Sequence, residues 1–160
     1  MIKLKIYFDV CCLNRPFDDW TQERIRFEGE AVLNIAARIS SGYWQLITSE
    51  AIALELEKMT DLEKLENIQK ILQIATIKVT IDNIIQERSQ TLENLGFGLY
   101  DSFHIASAEK TTADVLLTTD DRLLKKANNY QELLQVKLSN PVNWLMSIFQ
   151  EQGEIDNETS

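Results

Sequence analysis

Residues 114–121, DVLLTTDD, decide the fold. Val115–Thr118 shows no alternation of apolar and polar residues, so a strand here is expected to be covered on both faces. Such a strand belongs to a parallel sheet lying between helices, and Asp120 then stands just past its carboxyl end. In open parallel sheets, ligands bind outside the carboxyl ends of the strands. The first apolar run, Leu4–Asp9 (LKIYFD), repeats the pattern: a strand is predicted over Lys3–Phe8, and Asp9 closes it.

Helical periodicity fills the space between these runs. After a loop spanning LNRPFDDW, with Pro16 and Asp18–Asp19 as turn signals, Asp19 or Thr21 is placed to cap a helix running to about Ser40. Its apolar stripe is Ile25, Val32, Ile35, Ala36 and Ile39, and Gly42 ends it. Trp44–Thr48 reads as a strand, and Ser49 opens the helix SEAIALELEKM. A separate helix is predicted over Leu62–Leu72, a strand over Ala75–Thr80, and a helix capped by Asp82 and running from Ile84 to about Leu95, punctuated by Gly96 and Gly98. Leu99–Lys110 and Asp120–Asn128 read as helices, Leu133–Leu138 as a fifth strand, and Pro141–Gln150 as a last helix. Strands alternating with helices give an α/β class with a parallel sheet covered on both faces. Residues 1–150 are expected to form one domain, with 151–160 a frayed acidic tail.

Composition narrows the function classes. A chain of 160 residues with 44% apolar and 26% charged residues is of ordinary globular make-up. No apolar run reaches the ~20 residues that a membrane span needs. The start, MIKLKIYFD, reads as a strand and not as a secretory signal, so a cytoplasmic protein is expected. Cys11 and Cys12 are the two cysteines; neighbours rarely pair with each other, and they read as small packed residues. The net charge of −9 disfavours broad electrostatic binding of nucleic acid, and acids neutralised by bound cations would account for part of it.

Four acids fall where the predicted fold would gather them. Asp9 and Asp120 end strands, Asp101 opens a helix, and Glu55 lies on a helical stripe with Ile52 and Met59. One at a time, a turn, a helix start, a helix cap or a solvated face explains each. In combination they suit a divalent metal. Packed carboxylates repel and raise one another's pKa, and a cation removes that penalty. Mg²⁺ or Mn²⁺ takes oxygen ligands and keeps waters, one of which can attack a phosphodiester in line. His104, the single histidine, stands three residues beyond Asp101. It is a candidate general base, against the plainer reading of a packed ring hydrogen-bonded to a carbonyl or carboxylate. Arg15, Arg122, Lys125 and Lys126 are candidates for phosphate contact, the last three also explained as a solvated helix face.

The ordered segments YFDVCCLN, SEAIALELEK, LYDSFHIASAE and LLTTDDRLLKKA resemble the PIN domain, and within it the small bacterial toxins of the VapC type. The resemblance runs to about Phe149, and the D-x-x-H-x-A-x-A pattern closing on T-x-D is its specific part. It implies a three-layer α/β/α fold with a parallel five-stranded sheet, and a Mg²⁺- or Mn²⁺-dependent endoribonuclease. Carried over, the family's acids are Asp9, Glu55, Asp101 and Asp120, with Asp121 as an auxiliary metal ligand. It also implies a homodimer and an antitoxin that inserts a segment at the acidic site. The chain departs from the family in carrying Val10 where members commonly have Ser or Thr, and in its longer CCLNRPFDD loop. Two other classes compete: a non-catalytic interaction module on the same fold, and a phospho-receiver with Asp82 as acceptor. The second fits poorly, because no acid pair follows the first strand.

Overall fold

The computed structural model describes the backbone of residues 3–159 and side-chain burial up to residue 153. Five strands form one parallel sheet: β1 (Lys5–Phe8), β2 (Gln45–Ser49), β3 (Ile77–Val79), β4 (Val115–Leu117) and β5 (Leu138–Ser139). Their order across the sheet is β3-β2-β1-β4-β5. The chain starts in the middle, winds outward to β3, then returns past β1 to build β4 and β5. Its direction therefore reverses between β1 and β4, the place where such sheets leave a crevice.

The central strand is apolar because nothing in it meets water. Ile6, Tyr7 and Phe8 are all fully buried, as are Val115, Leu116 and Leu117 beside them. The register sets Tyr7 against Leu116 and Phe8 against Leu117. Helices cover both faces, giving the three-layer α/β/α architecture. They are α1 (Val10–Asn14), α2 (Glu23–Ser40), α3 (Glu50–Leu56), α4 (Leu62–Leu72), α5 (Asn83–Asn94), α6 (Leu99–Lys110), α7 (Asp121–Asn129) and α8 (Pro141–Thr159). Helices α2 and α8 pack together, as do α5 and α6, with α3 against α6. Among the described residues, no helix is long and apolar enough to cross a membrane.

Local chemistry sets the element ends. The side chains of Ser49, Asp61 and Asp82 accept the amides of Ile52, Lys64 and Ile85, capping α3, α4 and α5. Gly42, at φ +88°, turns the chain out of α2 in a conformation that side chains disfavour.

Four expectations change. The predicted loop is shorter than expected: α1 runs from Val10 to Asn14, Pro16 sits in a single 3₁₀ turn, Arg15–Phe17, where its missing amide costs nothing, and only 18–22 are irregular. Neither Asp19 nor Thr21 caps α2; Asp19 accepts the Thr21 amide at 3.0 Å, and the helix begins at Glu23. The fifth strand is two residues long. The Gln135 amide that would extend it donates to the Glu109 carboxylate at 2.7 Å, and the Leu133 amide closes a turn onto Tyr130. The last helix continues beyond Gln150 to Thr159, through the segment expected to fray.

Candidate functional site

Asp9 is carried to the switch point by the sheet itself. Its amide donates to Leu117 O at 3.1 Å, continuing the β1–β4 ladder one residue past the strand. Its side chain then turns back as the N-cap of α1, Oδ1 accepting the Cys12 amide at 2.9 Å. It is 3% exposed. Burial pushes its carboxyl from 3.8 up to about 6, and the nearby Asp101 charge adds to the rise; the Thr118 hydroxyl, the Cys12 amide and His104 act against it. The site's first acid is thus held in a place that resists its ionisation.

The others arrive from helix ends. Asp101 lies in the first turn of α6, half-buried. Its carboxyl is raised by burial and then by the charges of Asp120 and Glu55, with His104 and Lys126 opposing. Asp120 caps α7, its Oδ1 accepting the amides of Arg122 at 3.0 Å and Leu123 at 3.3 Å. Its own amide donates to Thr118 Oγ1 at 3.1 Å. Thr118, fully buried just past β4, thus accepts the Asp120 amide, and its hydroxyl is also among the groups that hold the Asp9 carboxyl down. The sequence reading passed over it, although it is the first letter of T-x-D. Glu55, on α3, presents Oε1 to His104 Nε2 at 2.7 Å.

These four acids share one electrostatic neighbourhood. The Cys11 thiol, on the exposed side of α1, is pushed up to about 12 by burial and by all four: Asp9, Glu55, Asp120 and Asp101. They do not share a coordination sphere: among the described residues, no three His, Cys, Asp or Glu side chains stand close enough to hold a metal ion. The reason is local, since Asp9 and Asp120 are each turned toward the helix they cap and Glu55 toward His104. The donor set nevertheless fits a hard divalent cation in its chemistry. It consists of carboxylate oxygens, and two of the carboxyls are raised partly by the charge of other acids in the set, Asp9 by Asp101 and Asp101 by Asp120 and Glu55, which is the cost a cation removes.

The remaining candidates are elsewhere. Asp121 is 68% exposed and turned toward Arg24, whose Nη1 and Nη2 each donate to it at 2.7 Å. That guanidinium lowers its carboxyl, and the pair keeps it apart from the other four acids. Arg15 is engaged by Glu28 at 2.8 Å and Asp18 at 2.9 Å, which removes it from the phosphate candidates. Arg122 and Lys125 are exposed on α7. Lys126 is different: it donates to Gly96 O, lies over the Phe97 ring and opposes the rise of Asp101, so its charge is felt by one of the four acids. His104 is 1% exposed, with Nδ1 at 2.7 Å from Tyr7 Oη and Nε2 on Glu55. With both nitrogens engaged inside the core, it is not placed to take a proton from water or substrate.

No family model matches the chain, and no curated protein does. Among solved structures the chain is similar to PAE2754 from Pyrobaculum aerophilum, known from its crystal structure, at 19% identity and a TM-score of 0.47 over 77% of this chain and 84% of that one. The likeness to PIN domains rests on the four sequence motifs.

Proposed function

We propose that the protein is a metal-dependent endoribonuclease of the PIN type, hydrolysing RNA phosphodiester bonds at Asp9, Glu55, Asp101 and Asp120. The observation that carries this is Asp9: a carboxylate buried at the switch point, raised to about 6, with no basic side chain bonded to it and Asp101 adding to the rise. Asp9, Asp101 and Asp120, with Glu55 beside them, would hold Mg²⁺ or Mn²⁺. The ion would lower the pKa of a bound water and offset charge on the phosphate. The chain's own residues do the rest: Asp9 and Asp120 cap α1 and α7, the Thr118 hydroxyl accepts the Asp120 amide, and Lys126 offers a positive charge near Asp101 for a phosphate. The same reading places the protein in the cytoplasm, as a homodimeric toxin whose antitoxin covers the acids.

A fluorogenic RNA incubated with Mn²⁺, with Mg²⁺ and with EDTA tests it, with Asp9→Asn purified alongside. Cleavage that needs metal and vanishes in the variant is the expected result; metal-independent cleavage, or an equally active variant, sinks it. The −9 charge, which repels polyanions, favours one alternative, an interaction module of the same fold without turnover. Metal uptake with no cleavage of any RNA is its signature.

A further inference from the structure

Two polar rings sit in the middle of this core, Tyr7 fully buried on the central strand and His104 1% exposed on α6. Phe and Leu would fill the same space without any polar atom to satisfy, and a buried hydroxyl or imidazole is costly unless fully bonded. Both are fully bonded, in a line. The Ile52 amide donates to Ser49 Oγ at 3.1 Å, Ser49 Oγ lies 2.6 Å from Tyr7 Oη, Tyr7 Oη lies 2.7 Å from His104 Nδ1, and His104 Nε2 lies 2.7 Å from Glu55 Oε1.

Proton counting gives the line a direction. An ionised Glu55 only accepts, so Nε2 carries a hydrogen. A phenol keeps its proton at neutral pH. If that proton goes to Nδ1, Tyr7 Oη accepts from Ser49, and Ser49 still has a lone pair for the Ile52 amide. Every proton in the line then has an acceptor. The reverse direction needs a doubly protonated ring, so a charge is buried on a residue 1% exposed. The Tyr7 proton then goes to Ser49, whose own proton loses its acceptor, or to the buried and otherwise unpartnered Ser107 hydroxyl.

We infer that Ser49, Tyr7 and His104 form a one-way hydrogen-bonded chain that holds the Glu55 carboxylate at the site, with His104 fixed as the neutral tautomer protonated on Nε2. His104 is then a positioning residue, tied through Tyr7 to the central strand. Strand β1 thereby sets two of the four acids, Asp9 directly and Glu55 through two side chains. The positioning role rests on reading Glu55 as part of a metal-binding site; the tautomer does not.

The chain has one histidine, so ¹⁵N-histidine labelling of the full-length protein gives a single imidazole to observe. Long-range ¹H–¹⁵N correlation near neutral pH is expected to show Nε2 protonated and Nδ1 bare. A proton on Nδ1, on either tautomer count, overturns the chain's direction. Mn²⁺ affinity is then compared for the parent, Tyr7→Phe, Glu55→Gln and the double variant. Loss of such a supporting partner is expected to weaken binding about 10-fold in the parent and to add less than about 2-fold once Glu55 is Gln. Equal losses in both backgrounds mean that Tyr7 acts through the fold alone, and overturn the positioning role. No Mn²⁺ uptake by the parent overturns the metal reading and the positioning with it, while the tautomer result stands on its own. If Tyr7→Phe does not fold, the parent's imidazole spectrum still decides the direction.

Discussion

Glu28 and Asp9 are carboxylates at almost the same depth, 2% and 3% exposed, yet the fold treats them in opposite ways. Glu28 is surrounded: Oε1 accepts from Arg15 at 2.8 Å, and Oε2 from Arg24 at 3.2 Å and Asn140 at 2.7 Å. It ties α2 to the turn after α1 and to the start of α8. Glu109 is handled similarly, by Arg88 at 2.7 Å and the Gln135 amide at 2.7 Å. Asp9 is given a backbone amide and a hydroxyl, but no guanidinium, and its charged neighbours include another acid. A buried acid answered by arginine is a structural joint. One left to burial and to other acids stores unfavourable free energy that only a cation or a proton relieves. That difference, more than burial itself, marks the site.

The widest separation between the two acids should appear in Asp9→Asn. Asn keeps the cap on α1 and removes the charge. RNA cleavage is expected to fall by about 100-fold or more, while the melting temperature in EDTA rises by about 5 °C at pH 7.5. A variant that is both inactive and less stable would mean that Asp9 is a structural acid like Glu28.

The parent's own pH dependence tests the same point without mutation. The Asp9 carboxyl is raised in the fold from 3.8 to about 6, so the folded chain holds that proton more tightly than the unfolded one. Its contribution is most favourable below about pH 4 and is lost as pH rises through 6, a change of roughly 3 kcal/mol. Asp101, also raised, acts in the same direction. Denaturant melts in EDTA at pH 4.5, 5.5 and 7 should show the decline in the parent and a shallower one in Asp9→Asn. Parallel curves would remove the claim that Asp9 is strained.

Glu28→Ala should do the reverse of Asp9→Asn. It leaves half-buried Arg15 with Asp18 alone and is expected to cost about 3 kcal/mol, the low end for a broken buried pair because Arg15 keeps that second partner and Arg24 reaches water. Cleavage per folded molecule should hold. The smallest effect belongs to Asp121→Asn, an exposed pair with Arg24, where cleavage within about twofold of the parent is expected. A large loss would return Asp121 to the site.

Where a feature was carried by neighbours in sequence, it was legible. The apolar runs at Ile6–Phe8 and Val115–Leu117 are strands, the caps at Ser49, Asp82 and Asp120 are where their residue types put them, and α4 and α6 have the expected bounds. Helix α1 was hidden because five residues show no period, and because its capping acid had already been read for chemistry. Asp121 looked like a ligand because it adjoins Asp120, but one step along a helix turns a side chain by about 100°. The argument that an acid on a buried stripe is suspicious applied to Glu55, yet it fits Glu28 equally, three residues after Ile25 and four before Val32. Only the arginines distinguish the two, and Arg24 is four residues along while Asn140 is 112 away. The Tyr7–His104 bond spans 97 residues, and no local pattern announces it.

The anchoring of Asp9 in the central ladder has a consequence for how such a protein diversifies. Substitutions at residues 7 and 9 are screened by folding before they are screened by chemistry, so the acid end of β1 is slow to drift. Cys11 and Tyr100 near the starts of α1 and α6, Lys58 just past α3 and Lys126 on α7 have exposed or half-exposed side chains, and Lys58 already lies over the Tyr100 ring at 4.5 Å. Those positions can vary without disturbing the core. On the nuclease reading, new preferences among substrates would be acquired there, around a centre that the fold holds still.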